Sequence, residues 1–102
     1  MITVIAIITA KRGQRASVLE AFRANAPTVK AVKGCIDYEG HVDSLPALKF
    51  QTEFGPDAFV VIENWENLEA FEAHSKSPHM VAYIARARDM IATRVIHVLS
   101  SI

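Results

Sequence analysis

The 102-residue sequence has a single cysteine, Cys35, so no internal disulfide can form. That usage suits a reducing compartment, and a cytoplasmic domain is expected. The sequence also lacks a surplus of either charge, with 11 Lys and Arg against 11 Asp and Glu and no long run of one sign. A basic nucleic-acid footprint and a polybasic membrane patch are therefore excluded, and neither nucleic acid nor membrane is expected as a partner. No apolar run is long enough to span a bilayer: the N-terminal stretch Ile2 to Ala10 meets Lys11-Arg12-Gly13 too soon. No repeat, low-complexity tract or linker invites a domain cut, and residues 1–102 read as one domain. The familiar chemical signatures are missing as well. There is no GxGxxG, GxxxxGK[ST], GxSxG, CxxC or HExxH, which removes dinucleotide, nucleotide, elbow-serine and zinc-protease readings at the motif level.

What is present is apolar and patterned. Hydrophobic residues make up 51% and charged residues 22%, and a chain of this size folded alone should expose about 5,700 Å². Ile2 to Ala10 is β-rich and apolar on both parities, so both of its faces must be covered. Gln14 to Val32 carries a helical stripe of Val18, Phe22, Ala26, Val29 and Val32. Pro27 predicts a kink or short break before Thr28, and Gly34 a C-terminal cap. Cys35 to Val42 alternates as a second strand, and Asp43 to Asp57 reads as a hairpin excursion with a few extended residues near Phe50. Ala58 to Trp65 is a third strand. Asn67 caps a short helix reaching His74, and Ser77-Pro78 starts another that keeps Met80, Tyr83, Ile84, Ala87 and Ile91 on one face. Val95 to Ile102 closes the chain as a strand.

The order β-α-β-β-α-β predicts an α+β fold, the ferredoxin-like split unit, with an antiparallel sheet backed by helices on one face. Val95 and Leu99 opposite Ile96 and Val98, with the doubly apolar first strand, leave a second apolar face. A homodimer joined through the sheet faces is the expected cover.

Polar groups gather around the third strand and the helices after it: Glu63, Asn64, Trp65, His74, His79, Tyr83 and Arg86. At helical spacing His79, Tyr83, Arg86 and Met90 form a stripe beside the apolar face. One reading is an apolar pocket with a few directed polar groups; the other is an ordinary helix edge with a cap histidine and a solvated arginine. Glu63, His74 and His79 supply the ligand types of a non-haem iron site, but their spacing fits no compact motif and no metal site is expected. Cys35, at a strand start, reads as a small buried hydrophobe rather than a nucleophile.

Several strings then form a pattern: Thr3-Val4-Ile5-Ala6, Gly13-Gln14, Pro27-Thr28-Val29, Gly34-Cys35, Tyr38, Val42-Asp43, Phe50-Gln51, Pro56-Asp57, Ile62-Glu63, Trp65-Glu66, Glu72-Ala73-His74, Pro78-His79-Met80 and Ala82-Tyr83. In that order the sequence resembles the antibiotic biosynthesis monooxygenase family, most closely its bacterial quinol monooxygenase branch. The resemblance implies a dimeric α+β barrel. It also implies oxidation of a small hydroxylated aromatic such as a quinol by O₂, with no cofactor and no metal. A deprotonated quinol is itself reducing enough to pass an electron to O₂, so the protein must supply a dry cavity, a base and oxyanion donors. On this resemblance His74 is the expected base, with His79 second. Trp65 forms a wall, Tyr83 and Arg86 are donors or orienters, Tyr38 is a further wall, and Glu63 and Asn64 lie in the substrate site. Haem-degrading relatives carry Trp at the place of His74 and a ligating His ten residues later, where this chain has Ile84. Another branch isomerises small phosphorylated signalling sugars and shares the His74 to His79 pattern. Its phosphate needs a basic pocket, toward which Arg86 alone obviously points. A non-catalytic ligand-binding dimer is the remaining alternative.

Overall fold

A computed structural model describes residues 1–102. Strand β1 (Ile2–Ala10) leads to helix α1 (Arg15–Lys30), strands β2 (Cys35–His41) and β3 (Ala58–Trp65), helices α2 (Leu68–Ser75) and α3 (Pro78–Ala87), a 3₁₀ turn at Arg88–Met90, and strand β4 (Ile91–Ser100). The four strands form one antiparallel sheet in the order β2-β3-β1-β4, with the helices on one side. This is the expected ferredoxin-like α+β arrangement. No helix is long and apolar enough to cross a membrane.

Period-two alternation decides which residues meet the helices. Val4, Ala6, Ile8 and Ala10 of β1 are buried, as are Phe59, Val61, Glu63 and Trp65 of β3, and they pack against Val18, Ala21, Phe22 and Val29 of α1 and Met80, Tyr83 and Ala87 of α3. The opposite face carries Ile5 and Ile7, half-buried, with Ile62, Val95 and Leu99 exposed. The accessible surface is 6618 Å², larger by about 900 Å² than a chain of this mass requires.

Four local expectations are corrected. Helix α1 runs through Pro27 without a break and ends at Lys30: the proline gives up the single bond its missing N–H would have made to the Arg23 carbonyl, and the helix stops within one turn of it. Ala31 rather than Gly34 is its C-cap. Gly34 (φ +91°) lies farther on, where a Cβ would come within 2.6 Å of the Ala70 Cβ, so its role is the close approach of α2. Residues Asp43 to Asp57 form no hairpin. Asp43 closes this loop by accepting from the Phe54 and Gly55 amides at 3.0 and 2.9 Å, while Phe50 sits in a turn and is 87% exposed. Finally, β4 begins at Ile91, paired with Ala10, so Ile91 is a strand residue and α3 stops at Ala87.

Candidate active site

Ladder register builds the site. On the helix-facing side, Tyr38, Glu63, Val4 and Val98 form one row across the sheet. The next row is Gly40, Val61, Ala6 and Ile96, and the one after it includes Phe59, Ile8 and Arg94. The middle row is short of side-chain volume. At Gly40 an added Cβ would come within 2.9 Å of the Phe22 ring, which stacks on Tyr38 at 5.4 Å. Ala6 leaves a hollow in the sheet floor. Helices α2 and α3 roof it with Phe71, His74, Ser75, Met80 and Tyr83, giving a cavity of about 120 Å³ whose polar groups are Tyr38, Glu63, His74, Ser75, Tyr83 and Arg94.

Local chemistry positions Glu63 and His74. Asn67 caps α2 by accepting from the Ala70 amide at 2.9 Å, and Ser77 caps α3 by accepting from the Met80 amide at 3.3 Å. Those two caps set the angle at which His74, 2% exposed, hangs over the sheet. The His74 ring stacks on Trp65 (centroids 4.7 Å apart) and meets the edge of Tyr38 at 5.8 Å. The Trp65 indole N–H donates to Glu63 Oε1 at 2.9 Å. Trp65 therefore stands behind Glu63 and His74 and fixes both.

The proton on His74 follows from its neighbours. Ser77 has one hydroxyl hydrogen and donates it to the His74 carbonyl at 2.7 Å. Its contact with His79 Nε2 at 3.0 Å is therefore as acceptor, which puts a hydrogen on that nitrogen. His79 Nε2 is also 3.3 Å from His74 Nδ1, which is thus the acceptor of this pair. Neutral His74 then carries its proton on Nε2. Every enclosed side-chain nitrogen and oxygen has a partner, and Nε2 has none in the protein, so this N–H opens on the cavity.

Burial sets the acid–base character. Glu63, 5% exposed, is raised from 4.5 to about 7, chiefly by desolvation, against the opposing Trp65 hydrogen bond and the Arg94 charge. His74 is lowered from 6.5 to about 4 by burial, then by His79 and Arg94. Burial also raises the Tyr38 and Tyr83 phenols, so both remain O–H donors at neutral pH. At neutrality the cavity holds one carboxyl poised to lose or take a proton and several fixed donors.

Of the residues singled out from sequence, Tyr38, Glu63, His74 and Tyr83 line this cavity. His79 and Arg86 instead line a groove between α1 and α3, where Arg86 lies 3.9 Å from Glu20. Asn64 is on the opposite sheet parity and joins Thr3 and Asp37 at 2.7 and 2.9 Å. No three His, Cys, Asp or Glu side chains converge as a metal site. The Cys35 thiol is raised, first by burial and then by Glu63 and Asp37, so it stays protonated. Arg94 is the residue that sequence reasoning missed. Starting the last strand at Val95 left it outside, although its parity with Ile96 and Val98 carried the signal.

Comparison with known proteins agrees with this fold. The family model described as antibiotic biosynthesis monooxygenase matches residues 1–86. The curated "Probable quinol monooxygenase YgiN" of Escherichia coli K12 is 44% identical over 85 residues, covering 81% of each chain, and so is that of Shigella flexneri. Among solved structures, a Pseudomonas aeruginosa protein superposes with a TM-score of 0.82 at 25% identity, covering 99% of this chain and 93% of its own. A Mycobacterium tuberculosis protein superposes with a TM-score of 0.81 at 20% identity, covering 99% and 94%, and supports the fold alone.

Proposed function

Because this chain belongs to the antibiotic biosynthesis monooxygenase family, we propose that its activity is oxidation of a quinol by O₂ in the cavity between sheet and helices. A monooxygenase function is supported by the family and by the curated relative. The observation that carries the finer reading is the buried Glu63 carboxyl, which lines the same mainly apolar hollow as an inward-facing His74 Nε2–H.

The reaction balances without an external reductant. A hydroquinone and one O₂ give a hydroxyquinone and one water: the ring gains one oxygen, the second leaves as water, and the quinol supplies all four electrons. No cofactor is then required of the protein. Its task is to take the phenolic proton, hold the resulting oxyanion and keep water out. Glu63 suits the first role, because a base works best when its pKa lies near the working pH. His74, expected from sequence as the base, has its acceptor nitrogen occupied by His79 and too little basicity. It serves as an oxyanion donor, with the Tyr38 and Tyr83 hydroxyls beside it.

The same reading includes a homodimer. Ile5, Ile7, Ile62, Val95 and Leu99 form an uncovered apolar sheet face that a second copy buries. Oxygen uptake with methylhydroquinone tests the function: wild-type protein should consume one O₂ per quinol, and Glu63→Gln should be slower by about 10²–10⁴-fold. Saturable binding without uptake by the wild type would refute the oxidation and leave a ligand-binding dimer.

A further inference from the structure

Arg94 has no partner in the structure. The ion pairs of the chain are Lys30–Glu39 and Arg86–Glu20, and Arg94 enters neither; nor does it make a hydrogen bond. It is an exposed residue of the edge strand β4, yet it lines the cavity together with Ala6, Ile8 and Ile96. An arginine placed against an apolar hollow and left unpaired is a free, planar, two-pronged receptor for an anion.

Its place relative to Glu63 gives the shape of the ligand. Glu63 pairs with Val4 and Arg94 with Ile8, so they stand four residues apart along β1 and on the two strands flanking it. At about 3.3 Å per residue and 4.8 Å per strand, their backbones are roughly 16 Å apart, and both residues line the cavity, with Ala6 midway between them. The space between them is the cavity. At about 120 Å³ it is somewhat smaller than the roughly 150 Å³ hollow known to admit one benzene. A single aromatic ring seated there would direct one oxygen toward Glu63 and His74 and leave its other substituent outside the hollow, at the exposed Arg94.

We infer that Arg94 anchors a carboxylate on the substrate, so that the ring entering the cavity is a single hydroxylated ring bearing an acid group at its outer end. This inference rests on the aromatic-binding reading of the cavity proposed above. It adds the substrate's charge and size. The anchor leaves the reacting oxygen free at the Glu63 end and gives the ring one orientation, which a cavity lined mainly by apolar side chains does not do alone.

The test uses benzoate and its neutral isostere benzamide, with binding followed by the fluorescence of Trp65, the only tryptophan, which packs against the cavity residues His74 and Glu63. At pH 6, below the value of about 7 at which Glu63 ionises, the wild type should bind benzoate at least about tenfold more tightly than benzamide, the lower range of a charge-assisted pair. Arg94→Gln should bring the ratio to about one. Arg94→Lys should keep part of it, and raised salt should weaken benzoate only. A wild-type ratio near one, or a ratio that survives in Arg94→Gln, overturns the anchor. Oxygen uptake by the wild type with methylhydroquinone and with 2,5-dihydroxybenzoate, a hydroquinone that carries the acid group, tests the parent reading separately: turnover without benzoate preference overturns the anchor alone, and benzoate preference without turnover of either quinol overturns the oxidation alone. Binding of neither probe overturns both.

Discussion

Glu63→Gln should make the protein more stable at pH 8 while removing its activity. The folded chain holds the Glu63 proton up to about 7, against 4.5 for a free carboxyl. The native state therefore binds the proton more tightly than the unfolded one, and stability falls as pH rises from 4.5 to about 7. The loss is absent below that window and complete above it. At 1.36 kcal/mol per pH unit it amounts to about 3 kcal/mol. Glutamine carries no charge at any pH, and its amide oxygen can still accept from the Trp65 indole. Its new N–H₂ group gives back about 1 kcal/mol where it lacks a partner. The net gain at pH 8 is thus about 2 kcal/mol, or a rise of roughly 8–16 °C in melting temperature for a domain of this size. At pH 4, where Glu63 is protonated in both states, the variant should match the wild type or fall about 1 kcal/mol below it. Urea unfolding at fixed protein concentration, followed by Trp65 fluorescence at both pH values, measures the difference. A variant whose advantage is the same at pH 4 and pH 8, or absent at both, refutes the reasoning, because the carboxylate would then carry no burial cost. Retention of more than a tenth of the turnover would separately retire Glu63 as the base.

Further outcomes follow from the same geometry. His74→Ala should lower quinol turnover by about 10²–10³-fold, the usual effect of removing one oxyanion donor. The acid limb of its pH–rate profile should remain near 7, because Glu63 sets it; a limb displaced by this change would return the base role to His74. Light scattering at micromolar concentration should give about twice the 11.3 kDa chain mass, and Val95→Glu on the open sheet face should give a monomer with unchanged circular dichroism. A wild-type monomer would refute the dimer. Between pH 4.5 and 6.5 the wild-type melting temperature should be nearly flat. There Glu63 loses stability as pH rises, whereas His74, lowered to about 4, loses stability as pH falls from 6.5, since only the unfolded chain then takes its proton. His74→Gln should expose the Glu63 slope alone, and a variant that stays flat would show that the two terms do not oppose.

The elements were legible because their signals are local. The doubly apolar Ile2 to Ala10 run, the Asn67 and Ser77 caps and the alternation in Cys35 to Val42 each act within a few residues, and each forms the element it predicts. Where sequence reasoning failed, a distant group decided. Gly34 looked like a helix cap, but its lack of a Cβ serves Ala70, more than thirty residues away. The helix stripe through Arg86 and Met90 counted turns beyond Ala87, where the chain leaves the helix so that Ile91 can pair with Ala10. Asn64 was grouped with Glu63 by adjacency, although neighbours in a strand face opposite ways. The acid–base roles were hidden for a similar reason: nothing in the sequence around His74 says that His79 and Ser77 claim its Nδ1, or that Trp65 bonds Glu63.

The cavity joins these points into one physical design. A hollow lined by Val61, Phe71, Met80 and Ile96 excludes water well enough to raise a carboxyl and lower an imidazole, so near neutrality His74 is uncharged and Glu63 is divided between its acid and its carboxylate. Such a site does not attract a reducing aromatic by charge at its floor. Permanent charge is confined to its rim, at Arg94, where solvent still reaches. In the proposed reaction, when the phenol enters and Glu63 takes its proton, the new anion forms away from water, opposite the His74 N–H and the tyrosine hydroxyls. A phenolate without hydration yields its electrons more readily than a solvated one, and the hydrogen bonds that remain must hold it in place without quenching it. Neutral donors meet that demand better than a protonated histidine would, so the low basicity of His74 is part of how the site works.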